Sequence, residues 1–255
     1  MGLKGCCEHE KEDSCSELIY SIITVSLNAR QRIEETAESV SSQQFEAFEW
    51  IVIDGGSTDG TLQFLEREKG VNHLVSEPDD GIYDAMNKGI QYAHGSYCLF
   101  LNAGDILHGP AVLKRCKKYL RTDLVVGEIK IVSPDNPAKE GIRRFDTQDI
   151  RKKYLYSRTL PHQSTFIKKE LFLAHGLYEK KFMIAGDHDF FARVLTRGAT
   201  LSFAPCCVSV YCMDGISTTM KNSQIYRDEI AKIRKRNFTF FYRLRRRILD
   251  FVSVS

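Results

Sequence analysis

Apolar residues in this chain follow two periods. Between residues 19 and 101, short apolar runs rich in β-branched side chains alternate with stretches where apolar residues recur every three or four positions. The runs at 19–26 (IYSIITVS), 48–54 (FEWIVID), 72–76 and 96–101 read as buried strands. Helices are predicted over 30–44, where Ile33, Ala37 and Val40 share a face, over 58–69, and over 82–94, where Ile82, Ala85, Met86, Ile90 and Ala93 do. Strands alternating with helices predict an α/β fold: a mixed, mostly parallel sheet flanked by helices, with right-handed crossovers. Further on the alternation loosens. A strand is predicted over 123–132, a polar connection with Pro134 and Pro137 over 133–147, short helices over 168–175 and 187–197, and a strand over 201–213.

In such sheets ligands sit beyond the carboxyl ends of the strands, and polar residues converge there: Asn28, Asp54, Asn102 and Asp105. Asp54 stops an apolar run and is followed at once by Gly-Gly-Ser-Thr-Asp-Gly. A carboxylate at the end of a buried strand can meet ribose or base donors, and glycines let the backbone approach a ligand closely, so the pattern points to a nucleotide. Two further acidic stops, LFLNAGD ending at Asp105 and IAGDHDFF around Asp187 and Asp189, would hold a metal and supply a base. Adjacent residues on a helix diverge, so His188 between those aspartates is not proposed as a ligand.

Composition narrows the setting. With 255 residues the chain suffices for one large α/β domain with an appendage: a leader over 1–17, the domain over 18–220 and a helical tail over 221–255. No run is apolar enough to span a bilayer and the first residues lack the core of a secretion signal, so a cytoplasmic setting is the expectation. The eight cysteines show no paired spacing and read as reduced thiols. Cys6, Cys7 and His9 read as part of a flexible acidic leader rather than a metal site. From residue 227 onward there are nine Lys/Arg against three Asp/Glu, so the basic character lives in the tail and the rest is mildly acidic, which argues against nucleic acid. No Gly-x-Gly-x-x-Gly follows the first strand and no P-loop is present, which excludes the common dehydrogenase and NTPase signatures.

Taken in order, IITVSLNAR, WIVIDGGSTDGT, SEPDDGIYDAMNKGI, FLNAGD, PHQSTFIKKELF and AGDHDFF resemble the family 2 glycosyltransferases with a GT-A fold, a Rossmann-like nucleotide-diphospho-sugar transferase architecture, of the bacterial capsule, lipopolysaccharide and exopolysaccharide type. The resemblance runs from about residue 21 to 219. It implies a nucleotide-sugar donor, commonly a UDP-sugar, a divalent metal (Mn²⁺ or Mg²⁺) and inversion at the anomeric carbon. It also implies a hydroxyl acceptor on a polyprenyl-diphosphate-linked saccharide. By the same resemblance Thr24, Asn28 and Asp54 would line the uridine pocket, and Gly56, Ser57 and Asp59 would shape the adjoining turn. Asp79, Asp84 and Asn87 would face the ribose, diphosphate or donor sugar, together with Asn102. Many members carry Asp-x-Asp at the fourth strand, whereas here Asn102-Ala103-Gly104-Asp105 leaves Asp105 to carry the metal largely alone among side chains. Asp187 matches the family's Glu-Asp position, with Gly186 where Glu often stands, and would be the general base; it would also suit a helix cap. His162 in PHQ and Asp189 would contact donor or acceptor. Gly215 and Ser217 match a recurring Gly-x-Ser that either closes over the diphosphate or acceptor or forms a plain turn.

From Phe240 the tail places Phe241, Leu244, Ile248, Phe251 and Val252 on one stripe, with Arg243, Arg246 and Arg247 elsewhere. Two readings stay open: an interfacial helix that holds the protein on the inner face of an anionic membrane, and a helix that packs its stripe on the domain. Two rivals to transfer are a paired-carboxylate hydrolase and a sugar-nucleotide-binding assembly subunit with weakened catalysis. Oligomeric state has no signature in the sequence.

Overall fold

The computed structural model describes residues 17–133, 140–145, 152–212 and 223–245. Strand β1 (Tyr20–Ser26) lies between β2 (Phe48–Asp54) and β4 (Tyr97–Phe100), with β3 (His73–Ser76) outside β2, and the four run parallel. Between them come α1 (Arg30–Ser41), α2 (Thr61–Leu65) and α3 (Ile82–Tyr92). Every residue of β1 is buried, because helices cover both faces of a parallel sheet. Strand alternation sends Ile23, Val25, Ile51 and Ile53 into one core with Met86 and Ile90 of α3. Tyr20, Ile22, Trp50 and Val52 enter the other, with Ile33 and Val40 of α1. Ser26 pairs with Asp54 in register, so both strands end on the same rim.

The second half enlarges the sheet with β5 (Ile106–Leu107), β6 (Leu124–Val132), β7 (Gly141–Arg143), β8 (Thr165–Lys168) and β9 (Leu201–Cys212). The order is β3-β2-β1-β4-β8-β6-β9-β5, with β7 beside β6. Strand β8 is wedged antiparallel between β4 and β6, so the sheet is mixed. It also delays the predicted 168–175 helix: residues 165–168 pair with β4 and β6, and α6 spans Glu170–His175. The predicted polar connection contains β7, which pairs with Ile129, Lys130 and Ile131.

Helices α4 (Val112–Cys116), α5 (Lys152–Ser157), α7 (Gly186–Thr196) and α8 (Gln224–Asn237) complete the described α-helices, and short 3-10 turns span Lys117–Tyr119 and His162–Ser164. Ser223 caps α8 by accepting a hydrogen bond from the Tyr226 amide at 3.1 Å. Ile230 and Ile233 then enter the core beside α7, and Phe238 and Tyr242, stacked on each other, meet the Tyr156 ring edge-on. The first part of the basic tail therefore packs on the domain. Phe240, Phe241 and Leu244 beyond it are 64%, 80% and 45% exposed. The remaining stripe residues, Ile248, Phe251 and Val252, lie outside the described residues, as do Arg246 and Arg247. Among the described residues no helix is long and apolar enough to cross a membrane.

Candidate nucleotide and transfer site

The loop after β2 is organised by Asp54, whose side chain is fully buried. One carboxylate oxygen accepts from the Gly56 and Ser57 amides, at 3.2 and 2.9 Å, and from the Ser76 hydroxyl at 2.7 Å. The other accepts from the Ser57 hydroxyl at 2.5 Å and faces Ser26 Oγ at 3.4 Å. Those bonds engage both oxygens, so Asp54 shapes the loop. Neighbouring residues do likewise. Ser57 Oγ accepts from the Asn28 amide at 2.8 Å, while Asn28 Oδ1 accepts from the Thr58 amide at 2.9 Å. Asn28 adopts φ of 48°, a left-handed conformation that asparagine tolerates better than most residues. Asp59 accepts from the Arg30 amide at 3.0 Å and from the Thr61 hydroxyl at 2.6 Å. The Thr61 hydroxyl and then the Arg30 amide hold the Asp59 carboxyl below its ordinary range. Thr24 is placed away from the rim: it is buried on the α1 face, where its Oγ1 accepts from the Trp50 indole at 2.9 Å.

Above this loop stands the start of α3. Gly81 N–H donates to Asp79 Oδ1 at 2.9 Å, and a Cβ added at Gly55 would lie 2.5 Å from Asp79 Oδ2. Only glycine lets that carboxylate sit against the loop backbone. Leu27, 57% exposed, flanks the same spot. Asp84 is paired with Lys180 at 2.5 Å and accepts from the Asp80 amide at 3.1 Å, which together keep its carboxyl below the usual range. Asn87 is used internally: its amide donates to Tyr178 O at 2.9 Å and accepts from Tyr178 N at 3.0 Å. That bracket ties α3 to the strand-free segment before α7 and leaves the residue only 4% exposed.

At the end of β4 a line of polar contacts crosses the rim. Asn102 Nδ2 lies 3.3 Å from His162 Nε2, and His162 Nδ1 lies 3.5 Å from Asp187 Oδ2. Asp187 opens α7 and is also met by Thr159 Oγ1 at 3.3 Å and Tyr83 OH at 3.5 Å. Asn102, His162 and Asp187, far apart along the chain, thus form one constellation. Thr159 and Tyr83 belong to it too, and their residue types carried no signal for that. Burial, followed by the charge of Asp187, pushes the Tyr83 phenol well up, so it remains a donor and bonds Ile184 O at 2.7 Å. A Cβ at Gly186 would lie 2.8 Å from three Tyr83 ring atoms, so that ring occupies the space a glutamate would need.

Asp189 points the other way. It is fully buried, accepts from Asn237 Nδ2 at 3.0 Å and lies 3.5 Å from Arg236, both on α8, so it does not reach the rim. His188 is also internal, with Nε2 against Leu155 O at 2.6 Å, and burial lowers its pKa. Glu229 of α8 accepts from the amides of Met183, Ile184 and Ala185 at 2.6, 3.1 and 2.9 Å. It clamps the segment that delivers Asp187, and nothing in its basic surroundings marked it. Gly215 and Ser217 lie outside the described residues.

A divalent cation has suitable donors beside β4. Asn102 Oδ1 is buried without a hydrogen-bond partner, and Asp105, 6% exposed, follows three residues on. An amide oxygen and a carboxylate are hard donors of the kind Mg²⁺ and Mn²⁺ take.

A family model described as glycosyl transferase family 2 matches residues 21–175. A Mycobacterium tuberculosis protein named as an uncharacterized glycosyltransferase is 35% identical over 176 residues, covering 68% of this chain and 67% of its own. A PGL/p-HBAD biosynthesis glycosyltransferase of Mycobacterium bovis is 31% identical over 194 residues, 72% of each chain. Among solved structures, S. aureus TarS 1-349 in complex with UDP-GlcNAc superposes with a TM-score of 0.69 at 17% identity, covering 87% of this chain and 68% of that one. The mannosyltransferase PcManGT from Pyrobaculum calidifontis, in complex with GDP-Man and Mn²⁺, gives 0.60 at 20% identity, covering 78% and 58%. These two likenesses carry the GT-A fold.

Proposed function

The chain belongs to glycosyl transferase family 2, and from that premise we propose that it transfers a sugar from a UDP-sugar to a hydroxyl of a lipid-linked saccharide, with inversion at the anomeric carbon. The observation that carries this reading is the alignment of Asn102, His162 and Asp187 across the rim where β1, β2 and β4 end. Asp187 accepts the acceptor's hydroxyl proton as that oxygen attacks the anomeric carbon. The bond from that carbon to the diphosphate breaks, and its electron pair leaves with UDP. His162, Thr159 and Tyr83 hold the carboxylate in place. Asp79, set over Gly55 beside exposed Leu27, meets the donor's ribose. Asn28, Asp54, Ser57 and Asp59 serve by fixing the loop on which the nucleotide rests. Asp105 and Asn102 would hold Mg²⁺ or Mn²⁺, which when bound offsets charge on the departing diphosphate.

Asp187→Asn tests the central step. It should retain UDP binding and lose roughly 10²–10⁴-fold in transfer, the usual contribution of a placed base. The assay is UDP release from a panel of UDP- and GDP-sugars, with lipid-diphosphate acceptors and with or without Mn²⁺ or Mg²⁺. Unchanged turnover in the variant would remove Asp187 from the chemistry. Release that needs no acceptor would favour hydrolysis, and UDP binding without release would favour a binding subunit.

The acceptor suits a membrane setting. Phe240, Phe241 and Leu244 are exposed next to Arg243 and Arg245, and each cation near an anionic leaflet contributes ~1 kcal/mol. This surface lies on the same tail whose α8 clamps the segment ahead of Asp187.

A further inference from the structure

The opposite end of the parallel strands carries a second group of ligand-bearing side chains. Glu49 stands at the start of β2 beside Ser21, His73 opens β3, and His94 lies in the turn between α3 and β4. Glu49 is 3% exposed. Its Oε1 accepts from Ser21 Oγ at 2.6 Å and from the amides of His94 and Gly95 at 2.5 and 3.2 Å. Those three donors fix the plane of the carboxylate and turn Oε2 toward two imidazoles. His94 Nδ1 lies 3.2 Å from Oε2 and His73 Nε2 lies 3.7 Å from it. All three ligand atoms fall within 4.8 Å of one another, and the two rings are 5.7 Å apart.

These separations have a chemical meaning. A tetrahedral ion with bonds of ~2.0–2.1 Å to nitrogen and oxygen has edges of about 3.4 Å. The two measured edges from Oε2 straddle that length. Two imidazoles with one carboxylate are a donor set for first-row transition metals, whereas Mg²⁺ and Ca²⁺ take oxygen shells. The carboxylate is rigid and buried while the His94 side chain is 63% exposed, so an ion has a route from solvent.

We propose that Glu49, His73 and His94 form a binding site for a divalent transition-metal cation, with Zn²⁺ as the reference ion. His73 binds through Nε2, His94 through Nδ1 and Glu49 through Oε2, and water fills the open fourth position. Each imidazole then carries its proton on the nitrogen facing away. Asp54 lies five residues along β2 from Glu49, about 16 Å at ~3.3 Å per residue, so this is not the diphosphate end and does not rest on the transfer reading. The ion would tie β2, β3 and the α3–β4 turn together.

The test uses the full chain after chelator treatment, titrated calorimetrically with Zn²⁺ and optically with Co²⁺, alongside thermal unfolding. The wild type should take up zinc and unfold at a higher temperature with it. His73→Ala/His94→Ala should lose affinity by more than about tenfold, since even outer-shell partners cost that much, and should lose the thermal gain. Where alanine unfolds the chain, His73→Gln/His94→Gln keeps polar side chains against Glu49. Cys6→Ser/Cys7→Ser controls for the leader thiols and should behave as wild type. Absence of uptake, a histidine variant that titrates like wild type, or binding that vanishes with the cysteines would each overturn the proposal.

Discussion

At Gly186 a missing methyl group governs how Asp187 is presented. The Tyr83 ring fills the space a side chain would enter, and its hydroxyl holds the backbone at Ile184, two residues ahead. Gly186→Ala must displace either the ring or the start of α7, so chemical denaturation should register a loss of about 1–3 kcal/mol, as for other overpacked sites. An unaltered midpoint would show that the ring yields freely. Asp84 offers a pH test. Lys180 and the Asp80 amide depress its folded pKa, so its contribution is present above the unfolded value of ~3.9 and is lost as pH falls through the lower folded value. Urea midpoints of wild type and Asp84→Asn should differ at neutral pH and converge on acidification; a gap that persists in acid would point to packing instead. At this scale the sequence revealed which residues stand at strand ends but not where their lone pairs go. Asp54 was legible as an acidic stop, yet its partners include Ser76 on the next strand. Thr24 and Asn87 are polar residues in a recognised pattern whose partners, Trp50 and Tyr178, are far away in sequence.

Helix α8 does more than extend the chain. Glu229 accepts from three successive amides ahead of α7, and two of them, Ile184 and Ala185, belong to buried residues. Glu229→Ala should cost on the order of 1–3 kcal/mol by denaturant unfolding and lower turnover more than UDP affinity. Equal losses in both would make it a general stabiliser and not a positioning residue. The parallel half of the sheet was legible because its strands and helices differ in apolar period over many residues. Strands β5, β7 and β8 were not. Each is two to four residues long; β5 and β8 exist through pairing with strands distant in the chain, as Cys98 with Ile167 shows, and β7 pairs with the preceding β6 from within a polar stretch. The leading residues of the basic tail were ambiguous for a similar reason, since Ile230 and Ile233 form an apolar stripe that does not name its partner.

Across the whole molecule the parallel strands set two chemistries at opposite rims, oxygen donors beside Asp105 and imidazoles beside Glu49. The exposed Phe240 and Phe241 add a third surface. Phe240→Ser/Phe241→Ser should weaken co-sedimentation with anionic vesicles by at least about tenfold, given the apolar area lost. Full retention would assign vesicle binding to the arginines, a case that added salt would expose. The clamp made by Glu229 also bears on the order of synthesis. A ribosome delivers β1 to β4 long before it delivers α8, so the segment ahead of Asp187 gains its Glu229 anchor only after the rim strands have been made. Of Asn102, His162 and Asp187, it is Asp187 whose support comes from the element furthest along the chain.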